Sequence, residues 1–202
     1  MSKIKQVKGR QVFDSRGNPT VEAEIILENG LTGTAIVPSG ASTGRHEAHE
    51  LRDNNKDYLN KSVFDAVNNI NNIISKALIG KNSVHQREID KVLIDLDGTE
   101  NKSNIGANAI LAVSIANLKV AAKLTNKEIY KFINNKTHPT FSMPYPLMNI
   151  INGGAHANNS LEIQEFMIRP DGAKNFKECM QMSFLVIQNL KKNLEEKNIS
   201  TN

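Results

Sequence analysis

The sequence predicts an α+β domain built on a three-stranded antiparallel sheet plus helices, followed by a second segment that opens with two strands and a long helix. Three observations carry this reading. Apolar residues alternate at period two through much of the first forty positions. Beyond them the apolar spacing changes to the three-and-four pattern of amphipathic helices. Periodicity then lapses at Asn134–Phe141, and Pro139, Pro144 and Pro146 follow in quick succession.

The length suggests one large or two small domains, with the boundary expected at Asn134–Phe141. The chain has 202 residues, 39% hydrophobic and 23% charged, which suits a globular protein with enough length to bury a core. Its single cysteine, Cys179, excludes an intrachain disulfide and favours a reducing compartment. No apolar run reaches the ~18–20 residues of a membrane span, and the N-terminal MSKIKQVKGRQVFD lacks the apolar centre of a signal peptide. The expected location is therefore the cytoplasm. The net charge of +4 comes from 25 basic against 21 acidic residues. It does not mark a nucleic-acid binder, because the longest basic run is Lys191-Lys192 and acidic residues are interleaved almost everywhere.

The elements follow in order. Ile4–Val12 reads as a first strand. Val21, Ala23, Ile25 and Leu27 alternate with Thr20, Glu22, Glu24 and Ile26, as a half-buried strand requires. Asn29-Gly30 predicts a two-residue hairpin turn, and Leu31, Gly33, Ala35 and Val37 form the return strand, ended by Pro38. Val63, Val67, Ile70 and Ile74 share one helical face that stops at Gly80. Ser83-Val84-His85-Gln86 fits a capping box for a helix through Ile89, Val92, Leu93 and Leu96 to Asp97-Gly98. Ala107–Ala122 is apolar nearly all round and reads as a central buried helix. Thr125 and Glu128 suggest another capping box, opening a short helix through Ile133. Leu147–Ile151 and Leu161–Ile168 read as strands, separated by Asn152-Gly153-Gly154. The last helix, about 173–197, carries Phe176, Met180, Phe184, Ile187, Leu190 and Leu194 on one stripe, with Cys179 on or near it as a buried thiol.

Four stretches could carry chemistry. Pro38-Ser39-Gly40-Ala41-Ser42-Thr43-Gly44 joins sheet to helices; its small residues let backbone amides approach an anion, and its hydroxyls can ligate a hard cation. Taken alone it reads first as a surface connection, and it is not a Walker loop. His156 follows the Gly153-Gly154 pair and could meet a phosphoryl or carboxylate group, though a lone histidine reads first as an exposed loop residue. His46, His49, His85 and His138 show no metal-ligand spacing. Gln164-Glu165 interrupts an apolar strand. Neighbours in a regular strand face opposite sides, so both line one site only at a strand end or a bulge. A carboxylate there needs a partner, a metal or a proton, which leaves function and a structural ion pair both open. Asp14-Ser15-Arg16-Gly17-Asn18-Pro19 reads as a turn packed by an Asp–Arg pair.

In combination these stretches resemble the enolase family. Phe13–Glu22 resembles its N-terminal signature. So does Val37–Gly44, followed by Glu47-Ala48 and Glu50-Leu51-Arg52-Asp53. Leu96–Thr99 with Asn101–Ser103, Gly106–Leu111, Asn149–His156 and Gln164–Met167 match as well. The likeness runs nearly end to end, and Met148–Gly154 has a bacterial flavour. It implies that residues 1–134 are the α+β capping domain, and that residues 140–202 are the start of an enolase-type TIM (α/β) barrel, incomplete at two strands and a helix.

The resemblance also implies an activity: the lyase reaction of glycolysis, reversible dehydration of 2-phosphoglycerate to phosphoenolpyruvate with two Mg²⁺ per active site. Under it, Ser42 ligates the second magnesium, and Gly40 and Ala41 line the substrate. His156 approaches the phosphoryl and carboxylate region. Gln164 and Glu165 touch substrate and assist acid–base chemistry. Arg10 and Glu22 are candidate ion-pair residues of a homodimer or higher homo-oligomer. The family's general acid, catalytic lysine and first-metal carboxylates have no counterpart in these residues, so the 202-residue chain alone is expected to be inactive. His49 and His85 depart from the family pattern at peripheral positions. The alternative is a non-catalytic binding role, including association with the cell surface.

Overall fold

The computed structural model describes residues 2–40, 42–54, 56–134 and 140–199. The chain divides into two units, residues 1–137 and 138–202, and each is described by itself.

In the first unit, β1 (Ile4–Phe13), β2 (Pro19–Leu27) and β3 (Thr32–Val37) form an antiparallel sheet in the order β1-β2-β3. The period-two pattern is realised directly. Val21, Ala23, Ile25 and Leu27 are fully buried, while Glu22 and Glu24 lie on the opposite face, beside Arg10. The hairpin differs from expectation. The Leu27 and Leu31 backbones pair through Leu27 N–H and Leu31 C=O at 2.9 Å, so three residues form the loop. Gly30 alone takes a positive φ, +85°, whereas Asn29 does not. This is a turn closed by a glycine bulge rather than a two-residue turn with both positions left-handed.

The helical layer covers the inner face of the sheet. Helix α4 (Ala107–Leu124) presents Ala109, Ala112, Val113, Ala116 and Val120, all fully buried. Its backbone comes so close to β3 that a Cβ on Gly33 would sit 2.4 Å from the Ala116 carbonyl oxygen. α4 is long and apolar enough to cross a membrane by length and composition, but here it is the central helix of the domain core. Helix α1 (Phe64–Asn69) runs through a π-helical turn, Ile70–Ile74, into α2 (Ser75–Leu78). Within that turn Asn71 accepts from the Gly9 N–H at 2.8 Å and donates to its carbonyl at 3.2 Å, covering the edge of β1.

Three local expectations are corrected. Helix α3 (Gln86–Asp97) has no side-chain cap. Gln86 instead donates to Asp90 at 2.9 Å and accepts from Asn117 at 2.7 Å, so tertiary partners take the amide that a capping box needs. Helix α5 (Ile129–Ile133) is likewise uncapped by side chains. Thr125 Oγ1 donates backwards to the Ala121 carbonyl at 2.9 Å and so closes α4. In the Asp14 turn, Oδ1 accepts the backbone N–H groups of Arg16 at 2.8 Å and Asn18 at 2.9 Å; these bonds to backbone come first, and attraction to the Arg16 and Arg52 guanidiniums adds to them.

Two buried carboxylates organise the loops. Asp53 caps α1 from eleven residues upstream, accepting from the N–H groups of Phe64 and Asp65 at 2.8 Å and from Ser62 Oγ at 2.6 Å. Asp97, 1% exposed, accepts from the N–H groups of Thr99, Asn104 and Ile105 at 3.0, 3.1 and 2.7 Å. Burial pushes both carboxyls up. These donors outweigh it and hold both below the ordinary aspartate value.

In the second unit, β4 (Met148–Asn152) and β5 (Glu165–Ile168) pair antiparallel, with a register shift that leaves Ile150 as an extra residue. Strand β5 starts four residues later than Leu161. The Leu161 and Gln164 carbonyls accept from Gly154 N–H at 2.7 Å and Gly153 N–H at 2.9 Å, which pulls residues 161–164 into a turn. Helix α6 (Phe176–Glu196) begins with a reciprocal cap. Asn175 Oδ1 accepts from Glu178 N–H at 3.0 Å, and Glu178 accepts from Lys174 N–H at 2.7 Å. Cys179 is buried as expected, together with Ser183, while Phe176, Met180 and Phe184 lie exposed.

Candidate active-site residues

The first candidate segment begins where β3 ends. Thr20 Oγ1 donates to the Val37 carbonyl at 2.5 Å and fixes that end against β2. Ser39 Oγ then donates to Glu50 Oε1 at 2.5 Å and accepts from Arg52 Nη2 at 2.7 Å. Gly40 follows; a Cβ there would come within 3.2 Å of the Ser42 carbonyl. Ala41 lies outside the described residues. Ser42 is half-buried and Thr43 and Gly44 are exposed. The hydroxyl and backbone oxygens of this segment are hard-cation donors, but no three His, Cys, Asp or Glu side chains converge on a metal position among the described residues.

The second candidate cluster lies at one end of the β4–β5 pair. Gly153 and Gly154 make the chain turn back on itself. A Cβ on Gly153 would sit 2.4 Å from the Ile163 carbonyl oxygen, and Gly154 has φ +54°. Only glycine fits the first position, and the second is strained for any other residue. His156 N–H donates to the Gly153 carbonyl at 3.0 Å, and Asn159 joins the two sides of the loop. Its amide donates to Asn152 O at 3.0 Å and accepts from Leu161 N–H at 3.0 Å. His156 Nδ1 consequently lies 3.1 Å from Glu165 Oε1. Both side chains are partly buried, at 23% and 31% exposure, enough for solvent or substrate to reach them.

Gln164 and Glu165 reach the same turn because Glu165 is the first residue of β5 and Gln164 precedes it. Gln164 Cγ packs over Gly154, 3.1 Å from where a Cβ would be, while Glu165 meets His156. The strand-end condition for both to line one place is therefore met. A carboxylate at hydrogen-bond distance from an imidazole orients the ring.

Arg10 and Glu22 face each other across β1 and β2 at 2.9 Å, and Arg10 also pairs with Glu24. Hydrogen bonds to Glu24 and then Glu22 raise the guanidinium's already high pKa. His85 pairs with Glu88 on the exposed face of α3 at 3.3 Å, in keeping with a peripheral position. His49 acts through its backbone, which accepts from Ala107 N–H at 2.8 Å. His138 lies outside the described residues. In the sequence Arg52 stands only as part of the Glu50-Leu51-Arg52-Asp53 likeness, with no role of its own attached.

Family comparison agrees with both regions. The enolase N-terminal domain family matches residues 4–133, and the enolase C-terminal TIM barrel domain family matches residues 140–202. Across all 202 residues the chain is 60% identical to a protein of Pelagibacter ubique (strain HTCC1062) named enolase, and it covers 48% of that relative's length. The chain thus spans about half the curated relative it matches. With an α+β domain built on a three-stranded antiparallel sheet matching the first family and residues 140–202 matching the second, the chain belongs to the enolase family.

Proposed function

We propose that the protein carrying this chain is a phosphopyruvate hydratase that interconverts 2-phosphoglycerate and phosphoenolpyruvate in the cytoplasm. The observation that carries the reading is the His156–Glu165 pair, held at 3.1 Å beside the Gly153-Gly154 turn. In the proposal, residues 1–134 are the capping domain and 140–202 the start of the barrel. His156 binds the phosphoryl and carboxylate region of the substrate, and Gln164 and Glu165 contact substrate. Glu165 steadies the His156 ring through their contact and assists acid–base chemistry at the reacting carbons. Gly40 and Ala41 line the substrate.

Two magnesium ions belong to the proposed site, and Ser42 supplies one hydroxyl ligand to the second. When bound, the ions offset the negative charge that builds next to the substrate carboxylate as the proton leaves. Arg10 and Glu22 are proposed to serve a homodimer contact as well as their own strand pair.

The test is direct. The full-length protein is assayed for phosphoenolpyruvate formation from 2-phosphoglycerate, with and without a chelator. Chelator-sensitive conversion is the expected result, and Glu165→Gln is expected to lower kcat by roughly 10²-fold or more. No conversion by the wild-type protein refutes the proposal. The 202-residue chain alone is expected to be inactive, and chelator-insensitive conversion by it contradicts both the activity and the metal assignments.

A further inference from the structure

Arg52 joins three separate stretches of the first unit. Its Nη1 donates to the Pro19 carbonyl at 3.1 Å, where β2 begins, and also to the Lys61 carbonyl. Its Nη2 donates to Ser39 Oγ at 2.7 Å and to Glu50 Oε1 at 2.8 Å. Lys61 Nζ in turn donates to Asn18 Oδ1 at 3.0 Å, tying two of those stretches together. The Lys61 carbonyl is delivered by an unusual turn: Tyr58, Leu59 and Asn60 all have positive φ, between +55° and +62°. Three consecutive left-handed non-glycine residues are strained, and the Tyr58 ring rests against Phe13 and Phe64 at 5.8 and 6.5 Å between centroids. The planar guanidinium fork suits this set of divergent acceptors, and a lysine ammonium cannot reproduce its geometry. Arg52 is only 23% exposed, so its charge-assisted bonds are partly shielded from water.

We propose that Arg52 is a positioning residue for the proposed hydratase reaction. It fixes the Ser39 end of the small-residue segment against the body of the domain. Through Ser39 it limits the conformations of the Gly40 backbone and the Ser42 hydroxyl, which the proposed function places at substrate and metal. This inference rests on that functional reading. The physical reason is entropic. A segment containing Gly40 and Gly44 has wide backbone freedom, and substrate binding must remove whatever freedom the free protein retains. Anchoring one end before substrate arrives removes part of it.

The experiment uses the full-length protein with Arg52→Met, Arg52→Lys, Ser39→Ala and the Arg52→Met/Ser39→Ala double variant. All are assayed well below their melting temperatures. Arg52→Met is expected to raise KM for 2-phosphoglycerate about tenfold while kcat changes less, and Arg52→Lys to recover part of the loss. Because the two side chains act through one contact, Ser39→Ala is expected to change KM less on the Arg52→Met background than alone. A second readout needs no activity. Tryptic cleavage after the exposed Arg45, measured without ligand, is expected to accelerate about tenfold in Arg52→Met.

Unchanged KM and unchanged cleavage in Arg52→Met overturn the inference. So does a fall in kcat and melting temperature with KM and cleavage both unaltered, which is a purely structural role. An inactive wild-type protein refutes the hydratase reading, and the positioning role for that reaction with it. Faster cleavage in an inactive protein then separates a real anchor from a failed function.

Discussion

Gly33→Ala tests how tightly the central helix seats on the sheet. The added Cβ would lie 2.4 Å from the Ala116 carbonyl oxygen, 2.7 Å from Val120 N and 2.8 Å from Val120 Cβ. Two of those atoms are helix backbone, so no rotamer change relieves the contact. Merely reaching 3.0 Å, below which real Cβ atoms essentially never come, requires movement of 3.0 − 2.4 = 0.6 Å. The strand and α4 must separate by about that distance, along an interface that holds Ala23, Ile25, Ala35, Ala112, Ala116 and Val120 in one buried cluster. A gap of 0.5–1 Å forfeits roughly a quarter to a half of each dispersion contact; for ~40 atom pairs at ~0.15 kcal/mol this is about 1.5–3 kcal/mol. That agrees with the ~1–3 kcal/mol typical of overpacked cores. Gly30→Ala is the control. Its Cβ meets nothing within 4 Å, but φ is +85°, so it carries only the left-handed strain of roughly 1 kcal/mol. Urea denaturation followed by circular dichroism compares the two variants with wild type. A Gly33→Ala loss below 0.5 kcal/mol, or smaller than that of Gly30→Ala, would refute the claim that α4 backbone contact sets this spacing, with ~0.5 kcal/mol the ordinary scatter of benign substitutions.

Asp97→Asn should lower stability near neutral pH by about 1.5–3 kcal/mol, because charge-assisted bonds to the Thr99, Asn104 and Ile105 amides are lost. The native carboxyls of Asp97 and Asp53 lie below their unfolded value of about 3.9. The stability they contribute is present above that value and is lost as pH falls through the lower native one. Melting temperatures measured from pH ~5 to ~2 should therefore fall more steeply for wild type than for Asp97→Asn; parallel curves would remove Asp97 from the acid transition. Arg10→Ala should change unfolding stability by less than about 1 kcal/mol, since the exposed pair is solvent-screened. If Arg10 also serves a subunit contact, the same change weakens the proposed dimer in sedimentation, and an unaltered dimer excludes it. Asn159→Ala should lower kcat in the full-length protein by roughly tenfold, by loosening the loop that holds His156; an unchanged kcat would show that the Gly153-Gly154 turn suffices.

The sheet and α4 were legible because their signals are local. Burial alternates strictly from Val21 to Leu27, and α4 is rich in Ala and Val because one broad face packs into the core. Start signals failed where a side chain had a better partner elsewhere in the fold. Gln86 sits three residues after Ser83, as a capping box asks, yet Asp90 and Asn117 hold its amide. The carboxylate that does cap α1 is Asp53, eleven residues before the first capped amide, and no window scan reaches it. Arg52 was hidden for the same reason: its value lies in three carbonyl and hydroxyl acceptors drawn from distant loops.

Gln164-Glu165 shows how far pattern reasoning goes in a site. Alternation alone sends the two side chains to opposite faces, so a shared site demands a strand end or a bulge. The structure supplies the strand end at Glu165, and the register shift lies on the partner strand at Ile150. What the pattern could not supply was the partner. His156 precedes Glu165 by nine residues, a spacing with no strand or helix meaning. The two meet only because Gly153 lets the chain approach the Ile163 carbonyl more closely than any side chain permits. Enlarging Gly153 should therefore break the His156–Glu165 pair without touching either residue, so the glycine is as much a determinant of the site as the acid and the imidazole it brings together.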